Sequence, residues 1–296
     1  MPELPDVVVY VEAVHKRLIG KTLVALSIPS PFLLRTAVPP VSTLTGRRVA
    51  GVRRIGKRIV LEFEGRLFAV LHLMIAGRLH WVPQGARARS PPRNLLARFE
   101  FDDGALTLTE AGTRKRASLH VVDGEIALAA LDPGGIDVAT ASPEVFRERL
   151  IAENHTVKRA LTDPRVFSGI GNAYSDEILH RAQLSPFALT RKLTAEQIGR
   201  LHRAASDVLA EWTERLRAAT GDGFPGKVTA FRPEMAVHGK FGQPCPVCGA
   251  PVQRIVYAEN ETNYCARCQT GGTILADRSL SRLLKASWPR SIDELG

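Results

Sequence analysis

Four cysteines, Cys245, Cys248, Cys265 and Cys268, form two Cys-x-x-Cys pairs separated by sixteen residues. Thiolates in that pattern can close a tetrahedron around one Zn²⁺, and four protein ligands leave no position for water, so the metal is expected to be structural. A second constellation, Ser168-Gly169-Ile170-Gly171-Asn172-Ala173-Tyr174-Ser175-Asp176-Glu177, lies between two helical patterns. Its glycines allow close backbone approach, and the helix start that follows offers N–H groups to an anion such as phosphate. An ordinary helix-to-helix turn with Asn172 as N-cap fits the same residues. At the chain start, removal of Met1 exposes Pro2 as a secondary amine beside Glu3. Such an amine can attack a sugar aldehyde carbon and form an iminium, although a rigid chain start reads the same way. Lys57, in Arg53-Arg54-Ile55-Gly56-Lys57-Arg58, is either a fixed cation or a solvated charge at a strand start.

The elements that must position these residues are legible in outline. Val7, Val11, Val14 and Leu18 recur at helical spacing and predict a helix over Pro5–Ile19, with Gly20 as its stop. From Leu23 to about Leu131 the pattern turns to short apolar or alternating runs, among them Arg58–Phe63 and Leu67–Leu71. Glu64-Gly65, Asp102-Asp103-Gly104 and Asp123-Gly124 separate the runs, which reads as a β-sandwich or barrel. Asp132-Pro133-Gly134-Gly135 has linker composition and sets a domain boundary near residue 135. Beyond it Ser142 can cap a helix that has Pro143 in its first position, and helical periodicity continues to about Ala219. A Gly/Pro-rich stretch from Gly221 to Gly226 leads into the cysteine cluster.

The chain has 296 residues, 45% hydrophobic and 24% charged, which suffices for a packed core and argues against disorder. Forty Lys and Arg against thirty Asp and Glu give a formal charge of +10, pointing to a polyanionic partner. Leu67 to Gly77, interrupted by His72, is about half of what a membrane-spanning helix needs, so no membrane is expected. The N-terminus lacks a basic region followed by an apolar core, so a cytoplasmic location is expected. Clustered cysteines without an export signal favour metal over disulfides.

Taken together, these motifs resemble the formamidopyrimidine-DNA glycosylase and endonuclease VIII family of base-excision repair enzymes. The opening Pro2-Glu3-Leu4-Pro5-Asp6-Val7 is similar to that family's Pro-Glu-Leu-Pro-Glu-Val, and Gly56-Lys57 matches its strand lysine. Lys158, Leu161 and Asp163, then Gly169-Ile170-Gly171-Asn172 with Asp176-Glu177, resemble its helix–two-turn–helix. The match runs on through Phe231 and Val237-His238-Gly239-Lys240 to Tyr264-Cys265-Ala266-Arg267-Cys268-Gln269. The resemblance implies an α+β fold: an N-terminal helix on a two-sheet β-sandwich, and a C-terminal helical domain with a helix–two-turn–helix and a zinc-finger hairpin. It implies a catalytic domain over 1–134, a DNA-binding domain over 135–226, a four-cysteine zinc finger over 227–270 and an extension over 271–296. Pro2 would then be the nucleophile on C1′ of a damaged nucleoside and Glu3 the proton shuttle. Lys57 would contact phosphate and help the leaving base. Lys158 and Asn172 would grip phosphates near the extruded nucleotide. The partner is damaged DNA, double-stranded or partly single-stranded, and a monomer is expected, on the nucleoid if the host is bacterial.

Three positions depart from the family pattern. The His-Leu-x-Met-Ser-Gly run is His72-Leu73-Met74-Ile75-Ala76-Gly77, with Ile75 where the family's Met fills the gap left by the flipped base. The Asp-Pro-Arg-Arg-Phe-Gly loop corresponds to Ala111-Gly112-Thr113-Arg114-Lys115-Arg116, which keeps the phosphate-contacting Arg114 and puts Lys115 in place of the aromatic wedge. The arginine five positions before the third cysteine is Asn260. A tail from Thr270 to Gly296 carries the apolar stripe Leu280, Leu283, Leu284 and Trp288, which suits packing on the protein's own surface or a partner site. Beside the glycosylase reading stand a catalytically weak damage-binding protein of the same fold and an unrelated zinc-ribbon nucleic-acid binder.

Overall fold

Glu3 and Asp6 decide where the first helix begins. They form a capping box in which the Glu3 backbone N–H donates to Asp6 Oδ2 at 3.0 Å, so α1 spans Leu4–Leu18, one residue ahead of the expected Pro5. Asp6 in its first turn and His15, Lys16 and Arg17 in its last suit the helix dipole. The computed structural model describes residues 1–86, 94–112, 114–226, 228–257, 260–277, 283 and 289–295.

The strands that follow are β1 (Ala25–Ser27), β2 (Val49–Ile55), β3 (Arg58–Phe63), β4 (Leu67–His72), β5 (Gly77–Pro83), β6 (Leu95–Phe101), β7 (Gly104–Glu110) and β8 (Ser118–Asp123). They pair antiparallel into two four-stranded sheets, β1-β6-β7-β5 and β2-β3-β4-β8. Leu61, Leu71 and Leu119 of one sheet share a core with Leu79, Phe99 and Leu106 of the other, which settles a sandwich over a barrel. Val7, Tyr10, Val14 and Leu18 of α1 join that core. Val60, Phe68, Val70 and Val122 form a second apolar layer with Leu128 of the short helix α2 (Gly124–Ala129), so β3 and β4 are buried on both faces.

The chain divides into two units, Met1–Pro133 with Trp212–Thr229, and Gly134–Glu211 with Ala230–Gly296. In the second, Ser142 Oγ accepts from the Val145 N–H at 3.3 Å to start α3 (Pro143–Ile151), as the Ser-Pro pair suggests. Thr156 caps α4 (Val157–Thr162), and α5 (Asn172–Arg181) follows the glycine turn. Helix α6 (Ala195–Thr220) runs across the division. Helical periodicity runs to about Ala219, and the division of the chain places Trp212–Thr229 with the first unit, where Arg217 pairs with Glu12 at 2.5 Å and Phe224 packs on Tyr10. Helical periodicity says that a face is buried and is silent about its partner.

A hairpin of β9 (Gln253–Tyr257) and β10 (Asn260–Tyr264) leads into α7 (Ala266–Thr270). The tail returns to this region: the Ile274 N–H donates to Arg290 O at 2.9 Å, and Ile274 and Ile292 are buried with Val252, Tyr264 and Cys265. Of the expected apolar stripe, Leu280, Leu284 and Trp288 lie outside the described residues, and Leu283 is exposed. No helix among the described residues is long and apolar enough to cross a membrane.

Candidate active site and metal centre

Strand register gathers the first unit's candidate residues at one end of the sandwich. Lys57 sits on a two-residue hairpin closed by the Ile55–Arg58 pair, with Gly56 at φ +57, the left-handed conformation such turns require. Arg58 pairs with His72 and His72 with Ser118, so the same end carries the turn from Leu73 to Gly77. That turn is tight: the Gly77 N–H donates to Leu73 O at 2.9 Å, and a Cβ on Gly77 would lie 2.3 Å from that oxygen. Ile75 projects from it, 50% exposed, and the Arg78 guanidinium braces it by donating to Ile75 O at 3.2 Å and Gly77 O at 2.7 Å.

Gly77 in turn pairs with Glu110, the start of the loop that carries Arg114. The buried Glu110 carboxylate accepts the N–H groups of Arg116 at 2.9 Å and Ala117 at 3.1 Å, which folds the loop back on itself. Lys115 donates to Gly112 O at 2.9 Å and to Glu110 O, so the side chain in the wedge position is tied into its own loop. Arg114 is exposed.

The chain start belongs to this cluster by its electrostatics. Pro2 and Glu3 are buried. Burial lowers the pKa of the Met1 terminal amine, Glu3 and Asp6 raise it, and Arg78 and Lys57 lower it. Lys57 is likewise lowered by burial and raised by Glu3. Burial, with Arg58, Lys57 and His120, pushes His72 down to about 4 and keeps it neutral. With Met1 removed, a Pro2 amine beside a carboxylate and a lysine can act as a nucleophile with proton transfer at hand. Asp6, Arg78 and His72 have no role in a reading of the sequence, since nothing local marks them out before the register is known.

In the second unit Lys158 and Asn172 meet, but each is engaged within the protein. Lys158 Nζ pairs with the fully buried Asp176 and donates to Asn172 O at 3.0 Å. Asn172 Nδ2 donates to Glu261 O of the hairpin at 2.8 Å, and the N-cap of α5 is Gly171 rather than Asn172. Asp176 also meets His238 Nδ1 at 2.8 Å and the Asn263 N–H at 3.1 Å. Glu177 accepts the backbone N–H groups of Ala236, Val237 and His238 at 2.8–2.9 Å. Burial and the neighbouring Asp176 push its carboxyl upward against the pull of those donors. Asp176→Asn would leave Lys158 without its counter-charge, and breaking a buried pair in this way typically costs about 3–5 kcal/mol. The expected result is faster hydrogen exchange at the amides of Val237, His238 and Asn263, with the first unit's strands unchanged.

The four cysteines converge. Their sulfurs all lie within 4.8 Å of one another, with Cys248 and Cys265 at 3.3 Å and Cys245 and Cys268 at 3.9 Å. Zn–S bonds of about 2.3 Å give tetrahedral edges of about 3.8 Å, so the donor set fits one structural Zn²⁺ in size and in chemistry. Burial pushes the Cys265 thiol up to about 11, so metal and protons compete for the site. Asn260 lies in β10, at the hairpin's Tyr257–Asn260 pair.

Comparison with known proteins matches the formamidopyrimidine-DNA glycosylase N-terminal domain over residues 1–119 and the formamidopyrimidine-DNA glycosylase H2TH domain over 131–221. The zinc finger found in FPG and IleRS is matched over 242–271. A formamidopyrimidine-DNA glycosylase of Thermus thermophilus is 35% identical over 283 residues, 92% of this chain and 100% of the relative. An uncharacterized formamidopyrimidine-DNA glycosylase-like protein of Mycobacterium tuberculosis is 43% identical over 156 residues, 53% of this chain and 95% of the relative. Among solved structures, a Lactococcus lactis Fpg (MutM) in complex with an oxidised-pyrimidine-containing DNA superposes with a TM-score of 0.80 at 26% identity, covering 91% of this chain and 100% of that one.

Proposed function

The chain belongs to the formamidopyrimidine-DNA glycosylase family, and from that premise we propose that it excises oxidised bases from DNA and cuts the resulting abasic site through Pro2. The observation that carries this reading is the buried chain start: Pro2 and Glu3 are buried, and the charges of Glu3, Asp6, Arg78 and Lys57 all act on the terminus that Pro2 takes over once Met1 is removed. With Met1 removed, the Pro2 nitrogen lone pair forms a bond to C1′ as the glycosidic bond breaks and the base departs with that electron pair. Glu3 moves the protons of sugar-ring opening, and Lys57 supplies positive charge where the base and phosphate carry negative charge. The iminium so formed makes the C2′ proton acidic, and its loss expels the 3′ phosphate; loss of the C4′ proton from the conjugated iminium then expels the 5′ phosphate. Zinc, held by four thiolates, cross-links the hairpin and takes no part in these steps. Borohydride trapping on an abasic duplex tests the reading: reduction of the iminium should leave a covalent adduct on the Pro2 peptide. An adduct elsewhere, or none, would refute it.

Arg114, exposed on its loop, is the residue we assign to a phosphate, and the +10 charge supplies the sequence-independent attraction. Arg114→Ala should lower the slope of log affinity against log salt by about one, for damaged and undamaged duplex alike. An unchanged slope with altered lesion preference would mean that it reads bases. On this assignment the protein works on chromosomal DNA in the cytoplasm, and Lys158 and Asn172, each already donating within the protein, would reach phosphate through N–H groups left over from those bonds.

One observation favours weakened excision from intact duplex. Lys115 is tied to Gly112 and Glu110, leaving Ile75 to offset the few kcal/mol of unstacking that base extrusion requires. Abasic sites and lesions in single strands should therefore turn over faster than the same lesion opposite cytosine in duplex, and Lys115→Phe should narrow the gap. Single-turnover rates on the three substrates decide it. A fastest rate on the fully paired oxidised purine would show that other side chains fill the space.

A further inference from the structure

The last turn of α5 brings His180 to the metal centre. His180 is 6% exposed, and its Nε2 lies 3.3 Å from the sulfur of Cys245, itself 2% exposed. The imidazole does not belong to the set of ligands: four thiolates complete a tetrahedron, and the ring nitrogen sits against a sulfur. A dication with four thiolates carries a net charge of about −2. Buried charge of that kind is tolerated only when donors are aimed at it. Here the Cys268 N–H meets Cys265 Sγ at 3.5 Å, and the His180 ring nitrogen is the side-chain group set against Cys245.

We propose that His180 is a positioning residue of the zinc site, whose Nε2–H donates to the Cys245 thiolate and so slows metal loss while fastening α5 to the metal loop. A metal-bound thiolate can only accept, so the proton resides on Nε2. The spacing of α5 supports the mechanical half of the assignment. Asn172, Asp176 and His180 recur every four residues and so lie on one helix face, with Glu177 beside them. Each reaches the same module: Asn172 holds Glu261 O, Asp176 holds the Asn263 N–H, Glu177 holds the amides of 236–238, and His180 holds Cys245. The helix that presents the glycine turn is thus attached to the zinc-bearing segment along its whole length, and its last attachment is to the metal's own ligand.

The test compares zinc release from the purified, zinc-loaded full chain into a chromogenic chelator for wild type, His180→Phe and His180→Gln. Phenylalanine keeps the ring's volume without a donor. Glutamine places an N–H near the position of Nε2. A hydrogen bond to a charged group is worth a factor of about ten or more, so His180→Phe should release zinc at least about tenfold faster, with rescue by His180→Gln to within about threefold of wild type. Release from His180→Phe at the wild-type rate would overturn the proposal, as would failure of glutamine to rescue. A second measurement needs no variant. A long-range proton–nitrogen spectrum of the zinc-loaded wild type should show a proton on His180 Nε2, and a ring protonated on Nδ1 alone would overturn the proposal even if both variants failed to fold.

Discussion

Protein that retains Met1 or carries an N-terminal tag is expected to lose borohydride trapping on abasic DNA by a factor on the order of 10³ or more, while melting at the wild-type temperature. In the Met1–Pro2 peptide the proline nitrogen is an amide whose lone pair is delocalised into the carbonyl, so it cannot attack C1′. The free amine of Met1 lies one residue further out, about 3.8 Å along the chain, and misplacement by even about 1 Å can cost about 10²-fold. The buried setting sharpens the contrast, because Glu3 and Asp6 are fixed by the capping box of α1 and cannot follow a displaced nitrogen. Processed Pro2→Gly, which still offers an amine at the right position, should retain a measurable fraction of trapping. A blocked protein that crosslinks at the wild-type rate would remove Pro2 from the mechanism.

Removing zinc is expected to weaken DNA binding on the order of 100-fold, equivalent to about 2.7 kcal/mol, without unfolding the sandwich. The apolar cluster around the hairpin is small: Val237, Val252, Ile255, Tyr264, Ile274 and Ile292 pack with Cys245 and Cys265. Clusters of this size generally depend on metal for their fold. Cys248→Ser leaves three thiolates, which should release the metal and with it the Glu261 carbonyl that Asn172 holds. Affinity measured at one fixed salt concentration, with and without chelator, checks this alongside circular dichroism of the β-rich unit. Full affinity after complete zinc removal would show that the hairpin makes no contribution.

Features that depend on residues close in sequence are legible without the structure. Ser142-Pro143 marks a helix start, the Cys-x-x-Cys pairs mark a metal centre, and the Arg58–Phe63 and Leu67–Leu71 runs mark the two strands that are buried on both faces. The features that escape depend on partners far away. Lys158 is expected to grip phosphate, and its pairing with Asp176 is hidden because that carboxylate lies on the next helix. Lys115 reads as an empty wedge position, when its ammonium is absorbed by carbonyls of its own loop. His180 carries no signal at all, since a histidine near a helix end is ordinary until Cys245, 65 residues later, arrives beside it.

The bracing of the Ile75 turn bears on how this protein would search a genome. Arg78 ties down the carbonyls of Ile75 and Gly77, and the Gly77 backbone lies so close to Leu73 O that no side chain fits there. On the wedge role proposed for Ile75, a side chain on a turn braced in this way would press on the closed base step, and the double helix would do the yielding. Interrogation would then become a survey of local pliability, quick over rigid A-tracts and prolonged at soft pyrimidine–purine junctions. Two chemically identical lesions would be repaired at different rates because their neighbours stack differently, and the pattern of surviving damage along a chromosome would follow its mechanics as much as its chemistry.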